Sequence, residues 1–417
     1  MDLIVSLPAT PKAWLFNSPL APHLDAFVAH LRCSRYATQT AKTHILGVAH
    51  FARWMTQCSL PVSLLNEQTT RQFMSNHLPR CNCPPPVLRV RTDLRAALGL
   101  LLVVLRQQGA VAPVAPPTGH IADELRRYED HMRDARGLSS GTRSGFLRIA
   151  QRLLEHKFAS GLVVISELQP SDLRQFIATQ LERVGTVSNA MALASALRSY
   201  LQYRTTCGDP VHGLLGVIAS PAHWRLASLP RALQPDEVDR LLASFDSSVP
   251  SPKRGYAIVR CALDLGLRIS EVAGLQLRDI DWGAGTVTLK HTKSLRQDIL
   301  PLPEVTGKAL ADYLLHERPK TTDPAVFVRV LAPRDKPIGV YAISQVVRAA
   351  YRRIGLTHGR THALRHTTAC RLLEHGGSLK EVADVLRHRS MNTSLIYAKL
   401  DTPKLAAVAL PWPGSAT

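Results

Sequence analysis

At 417 residues the chain is long for one hydrophobic core, so two or three domains are expected. Its 51 Lys and Arg against 32 Asp and Glu leave a formal charge of +19; such a surplus favours a polyanionic partner, because each cation set on a phosphate releases condensed counterions. No apolar run nears the roughly 20 residues of a membrane span, and the seven cysteines are odd in number and irregularly spaced, which excludes a membrane span and a disulfide scaffold.

The N-terminus, MDLIVSLPATPKAW, lacks the basic start of a signal peptide, so a cytoplasmic protein with seven reduced thiols is expected. Cys81-Asn-Cys83 is the one close cysteine pair. No neighbouring His or second Cys pair is read as completing a zinc set, so no metal and no cofactor is expected.

In chain order, Thr38-Gln-Thr40 opens a helical run that includes Phe51 and Trp54, and an apolar helix is predicted near Leu94 to Leu105. A linker follows at 108–119, rich in Pro and Gly. Ser140-Gly-Thr142 then opens a second run with Phe146 and Leu154, and another apolar helix lies near Met191 to Tyr203. Between the helices, Leu65 to Phe73 matches Leu168 to Phe176, an offset of 103 residues against 102 for the helix starts. Two similar offsets point to a repeated all-helical unit of about four helices with Ser or Thr caps. Prolines at 210, 221, 230 and 235 make a second break. Three domains result: 1–110, a helical unit and possible duplicate; 118–207, the second helical unit; and 229–417.

The third segment mixes helices with a small sheet. Pro235 starts a helix, with Asp236 and Glu237 near its positive end. Gly285–Lys290 and Asp298–Leu302 read as two strands, and helices resume near Ser344. Five stretches here carry chemistry. Gly266-Leu-Arg-Ile-Ser-Glu-Val272 sets Arg268 and Glu271 three apart at a helix start. Lys293 sits in the turn between the strands. Thr361-His-Ala-Leu-Arg-His366 puts His362 and Arg365 on adjacent turns of one helix, with His366 read as facing elsewhere, in packing or in a supporting place behind the site. Ser378-Leu-Lys-Glu381 is a capping box ahead of Leu386-Arg-His388, with Val382, Val385 and Leu386 facing inward. Nine residues after His388 comes Tyr397. Each feature alone has an ordinary reading: a surface ion pair, a solvated lysine, a core tyrosine.

Together, Arg268, Lys293, His362, Arg365, His388 and Tyr397 form the ordered set R–K–HxxR–H–Y. This set, with GLRISEV and HALRH, resembles the tyrosine recombinase (phage integrase) family over roughly residues 120–410, the second helical unit resembling its core-binding domain. The resemblance implies a mainly helical fold, with tandem helical domains ahead of a catalytic domain bearing a small antiparallel sheet. It implies a site-specific recombinase of a mobile element, acting as a homotetramer on paired sites in double-stranded DNA, with accessory DNA-binding proteins as further partners. By that resemblance Arg268 and Arg365 clamp the scissile phosphate, and His388 adds a hydrogen bond. Tyr397 attacks to give a 3′-phosphotyrosyl enzyme, His362 accepts its proton, Lys293 (chosen over Lys290, which would lie within the strand) protonates the leaving 5′-oxygen, and Glu271 orients an arginine. Neither ATP nor a metal ion is required. Lys42, Arg143 and Arg148, at helix starts, are candidate DNA contacts. So are Arg387 and Arg389, which flank His388; Arg387 replaces the small residue of the family's LGH, so either the two add backbone contacts or the local turn differs. A short apolar helix from Pro403 to Leu410 would dock on its own domain or on a neighbouring subunit. A type IB topoisomerase-like relaxing enzyme and a non-catalytic DNA-binding protein are the alternatives.

Overall fold

A computed structural model of the chain describes residues 2–159, 161–184, 186–219, 231–290, 297–334, 336–356, 361–388 and 390–399. These divide into two compact units, one comprising 1–113 with 226–417 and the other 114–225. Three separate apolar cores lie within them, built from residues 4–111, 128–218 and, with a satellite cluster, 238–397. No described helix is long and apolar enough to cross a membrane.

In the first segment, helix Thr38–Gln57 buries Ala41, Ile45, Val48, Ala52 and Met55, the three-four spacing of one helix face. It packs on helix Arg91–Gln107, whose Leu94, Leu98, Leu101 and Leu105 are buried at the same spacing. The contact is close because Gly47 lies there: a Cβ at that position would stand 3.2 Å from the Ala97 Cβ. In the second segment the corresponding helices are Ser140–Phe158 and Val187–Thr206. The matched stretches also agree in detail. Each has a 3-10 turn (Val62–Leu64 and Ile165–Glu167) followed by a buried Leu (65 and 168) and a buried Phe (73 and 176). The Thr186 hydroxyl caps helix Val187–Thr206 by accepting from Asn189 N, but the predicted Ser and Thr caps are not made at Thr38–Gln57 and Ser140–Phe158. Ala37 and Ser139 hold the cap positions without a capping bond, and the Ser139 hydroxyl pairs instead with that of Thr142.

In the third segment three antiparallel strands, β1 (Ile280–Asp281), β2 (Thr286–Leu289) and β3 (Asp298–Pro301), pair in that order. Val287 pairs with Leu300 and Leu289 with Asp298. Val287 and Leu289 point into the core while Thr286 and Thr288 are half-buried, the two-residue alternation of a strand. β1 escapes sequence reading because two residues show no period. Helices Pro252–Asp264, Glu304–His316, Val340–Arg353 and Thr361–Glu374 surround the sheet and share its core. The helix predicted near Ser344 begins four residues earlier, at Val340. The tail at 403–410 lies outside the described residues.

One reading of the first segment needs correction. The side chains of His50 and His77 reach Cys81 and Cys83, and the four ligating atoms lie within 4.8 Å of one another. His77 stands four residues before Cys81, and His50 is brought in by the helix packing.

Candidate active site

The site is assembled around the turn at Gly266, whose φ of +56° suits a residue without Cβ. A Cβ there would lie 2.7 Å from the Leu386 side chain. The Gly266 carbonyl accepts hydrogen bonds from the guanidinium groups of both Arg365 and Arg387. Arg365 also donates to the Leu386 carbonyl. Arg268, at the cap of helix Ile269–Gly274, bonds Glu271 twice: its backbone N–H donates to Oε2 at 2.8 Å and its Nη1 to Oε1 at 2.7 Å. Arg387 donates to the same carboxylate at 2.8 Å. One buried carboxylate therefore aligns two arginines that are 119 residues apart in the chain.

Burial opposes the charge on Glu271, yet Arg387 and Arg268 outweigh it and hold the carboxyl below its usual range. Arg365 is buried, and desolvation together with Arg268 and Arg387 lowers its pKa to about 9. Three guanidinium groups around one carboxylate leave a net positive pocket, the arrangement that binds phosphate.

Helix Thr361–Glu374 carries Arg365 and two histidines. Thr368 Oγ1 donates to the Leu263 carbonyl at 2.6 Å, and Thr367 Oγ1 accepts from Leu233 N at 2.8 Å, so both neighbours of the helix fix its rotation. His366 does not face elsewhere: of the two places expected for it, it takes the supporting one beside the site rather than a place in the packing. It lies four residues from His362, on the same helical face, and its Nδ1 is 2.7 Å from the Tyr397 hydroxyl. His362 itself is exposed, its ring centroid 6.5 Å from that of His366. The spacing from His362, rather than from Arg365, was the signal to follow.

The capping box at Ser378 forms as predicted, Ser378 N donating to Glu381 and Glu381 N to the Ser378 hydroxyl. Val382 and Leu386 are fully buried, Val385 only in part. Helix Leu379–Val385 ends through Arg387, which adopts φ +53°, and His388 N donates to Ala383 O at 2.8 Å. His388 Nδ1 pairs with the buried Ser394 hydroxyl at 2.7 Å, and its ring lies parallel to that of Tyr397. Burial, aided by the neighbouring arginines, depresses His388 to about 4; burial, with His362 and Arg365, does the same to His366. Tyr397 is 2% exposed, and burial pushes its phenol up to about 12.

The remaining predicted residues divide. Lys293 and Arg389 lie outside the described residues. Lys290 follows β2 rather than lying in it, and its ammonium pairs with Asp279 at 3.1 Å. Arg387, expected on DNA, is instead buried and committed to Glu271; a left-handed cap turns its side chain inward. Arg143 folds back onto the Leu138 carbonyl and Glu129. Lys42 is half-buried. Arg148 is exposed and lines a groove of about 480 Å³ with Thr142, Arg152 and Asn189.

A mainly helical domain with a small antiparallel sheet, gathering arginines, histidines and a tyrosine, defines the class of DNA breaking and rejoining enzymes. The phage integrase family model matches residues 231–403. The chain is 34% identical over 406 residues to y4rA of Sinorhizobium fredii, named as an integrase/recombinase, with 96% of each chain covered. It is 33% identical over 287 residues to tyrosine recombinase XerC of Azotobacter vinelandii, covering 68% of this chain and 94% of that one. Among solved structures, XerH recombinase bound to palindromic difH substrate matches with a TM-score of 0.53 at 18% identity, over 69% of this chain and 86% of that one. A lambda integrase dimer on a core site matches at 0.52 and 15% identity, over 66% and 94%; both show the same fold. The chain belongs to the phage integrase family of tyrosine recombinases, enzymes that cleave and rejoin DNA in site-specific recombination.

Proposed function

We propose that Tyr397 is the nucleophile and that Arg268 and Arg365 hold the scissile phosphate. The observation that carries this reading is the convergence of Tyr397, through His366 and His388, on the arginine pocket built at Gly266. Attack by the phenolic oxygen forms the bond to phosphorus and breaks the bond to the 5′-oxygen. Charge gathers on the non-bridging oxygens, where fixed guanidinium groups stabilise it with little reorganisation. The phenol proton passes to a histidine. His366, kept neutral by burial and already hydrogen-bonded to the hydroxyl, is placed for this, with His362 as the exposed alternative. Lys293 supplies the proton to the leaving 5′-hydroxyl; the pairing of Lys290 with Asp279 favours Lys293 for that place. Glu271, with Arg387, positions Arg268. Reversal by a 5′-hydroxyl of another strand rejoins the DNA.

The second helical unit, 118–207, is proposed as the core-binding domain, with Arg148 and Arg152 meeting DNA phosphates from their groove. The first, 1–110, is its duplicate and lengthens the footprint. The enzyme acts in the cytoplasm as a homotetramer on two duplex sites, with accessory DNA-binding proteins as further partners, and is the recombinase of a mobile element.

The test is a covalent-adduct assay on nicked duplex DNA from sequence flanking the gene, run on a denaturing gel. Wild type is expected to give a protease-sensitive slow band that Tyr397→Phe lacks while still binding DNA. An adduct that persists in Tyr397→Phe overturns the assignment. Single-turnover rates of His366→Ala and His362→Ala then identify the proton acceptor, the true one losing on the order of 10²-fold or more.

A further inference from the structure

The first helical segment holds a polar cluster that recombination chemistry does not use. His50 is fully buried on helix Thr38–Gln57, with Phe73 edge-on to its ring at 5.0 Å. Its Nδ1 lies 2.8 Å from the Leu88 carbonyl. A carbonyl only accepts, so the proton sits on Nδ1 and the Nε2 lone pair faces the other way. There it meets His77 Nε2 at 3.2 Å and Cys81 Sγ at 3.2 Å. Cys83 Sγ closes the group, 3.7 Å from His77 Nε2. His77 is held by stacking on Phe73, its centroid 5.3 Å away.

From these contacts we propose that His50, His77, Cys81 and Cys83 bind one zinc ion in a tetrahedral structural site. Zinc bonds of about 2.0–2.1 Å to nitrogen and 2.3 Å to sulfur give a tetrahedron with edges of roughly 3.3–3.8 Å. The observed N–N spacing of 3.2 Å and N–S spacings of 3.2 and 3.7 Å lie within about 0.4 Å of such edges, and all four atoms lie within 4.8 Å of one another, so a small inward adjustment closes them on one ion. A carbonyl holding the far nitrogen of a ligating imidazole is the usual outer support of a zinc site, and the Cys83 N–H directed at Cys81 Sγ, 3.4 Å away, supports a thiolate in the same manner. With four protein ligands no position stays open for substrate, so the ion is structural.

The surrounding chain has reason to need it. Residues 81–90 form no helix or strand, include Pro84, Pro85 and Pro86, and bury only Cys83 fully. Little apolar surface ties them down. A zinc ion would fasten this stretch to helix Thr38–Gln57 and so set the position of helix Arg91–Gln107, which follows at once. The site goes beyond the reaction at Tyr397 and is tested separately from it.

The full-length protein, purified without chelator or polyhistidine tag, would be analysed for metal by elemental analysis. One zinc per chain is expected. Cys81→Ser/Cys83→Ser should carry none, whereas Cys33→Ser/Cys58→Ser, altered at two exposed cysteines, should keep it. His77→Cys, which exchanges one zinc ligand for another, should also keep it and so separates loss of a ligand from loss of the fold. Replacement by cobalt(II) in the wild type should give the intense ligand-field bands of a tetrahedral ion and a thiolate charge-transfer band. Protein with no zinc above buffer and no such bands would overturn the proposal. So would full zinc content in Cys81→Ser/Cys83→Ser.

Discussion

Arg387 stands where a small residue is usual in the resembled family, and replacing it with glycine sets two effects against each other. Arg387→Gly frees a left-handed backbone position from its Cβ, a gain of about 1 kcal/mol. It also removes one of two cations from a buried carboxylate. Breaking a buried pair outright costs about 3–5 kcal/mol, but Glu271 keeps Arg268, so about 3 kcal/mol is the better figure here. The net expectation is a loss of about 2 kcal/mol, or a fall in Tm of roughly 4–8 °C for a domain of this size. Thermal melts of wild type, Arg387→Gly, Glu271→Gln and the double variant would measure it. The two changes should couple by about 1–3 kcal/mol, because each removes a partner of the other. If Arg387→Gly melts at or above wild type, the Glu271 pair does not support the site and the inward-facing arginine is only tolerated.

Acid should weaken the fold through the site histidines. His366 and His388 sit near 4 in the folded protein against about 6.5 unfolded, so the unfolded chain binds more protons between those values. Stability is unaffected by them above about pH 6.5 and declines as pH falls toward 4; His366→Asn and His388→Asn should flatten that slope in melts taken across the window, and an unchanged slope would contradict the burial argument. Gly266→Ala should lose about 2 kcal/mol or more from left-handed strain and the approach to Leu386, measured by denaturant midpoint; a wild-type midpoint would show that the turn is not fixed.

The parts that sequence reveals are local. Helix Thr38–Gln57 shows its face through apolar spacing, the Ser378 box forms within four residues, and Arg268 and Glu271 meet because three residues bring them to one side. The rest depends on chain closure. Glu271 and Arg387 are 116 residues apart, and no local pattern marks them as partners. His77, four residues before Cys81, was a local signal that went unread, whereas His50 reaches His77 across 27 residues only by helix packing. His366 was misjudged by a different route: its neighbour Arg365 was taken as the reference, although helical faces repeat every three or four residues. The Arg387 side chain could be placed only once the positive φ at the helix end was known.

Tyr397 lies inside the protein, its oxygen occupied by His366 and its ring covered by His388. With Tyr397 as nucleophile, this interior position works as a safety catch. A charge of +19 favours contact with any duplex, yet a buried phenol near 12 has neither the access nor the ionisation to cut there. On that assignment, random contact would leave DNA uncut, cleavage would wait for a site whose binding draws the tyrosine out, and fidelity would reside as much in that release as in the reading of bases.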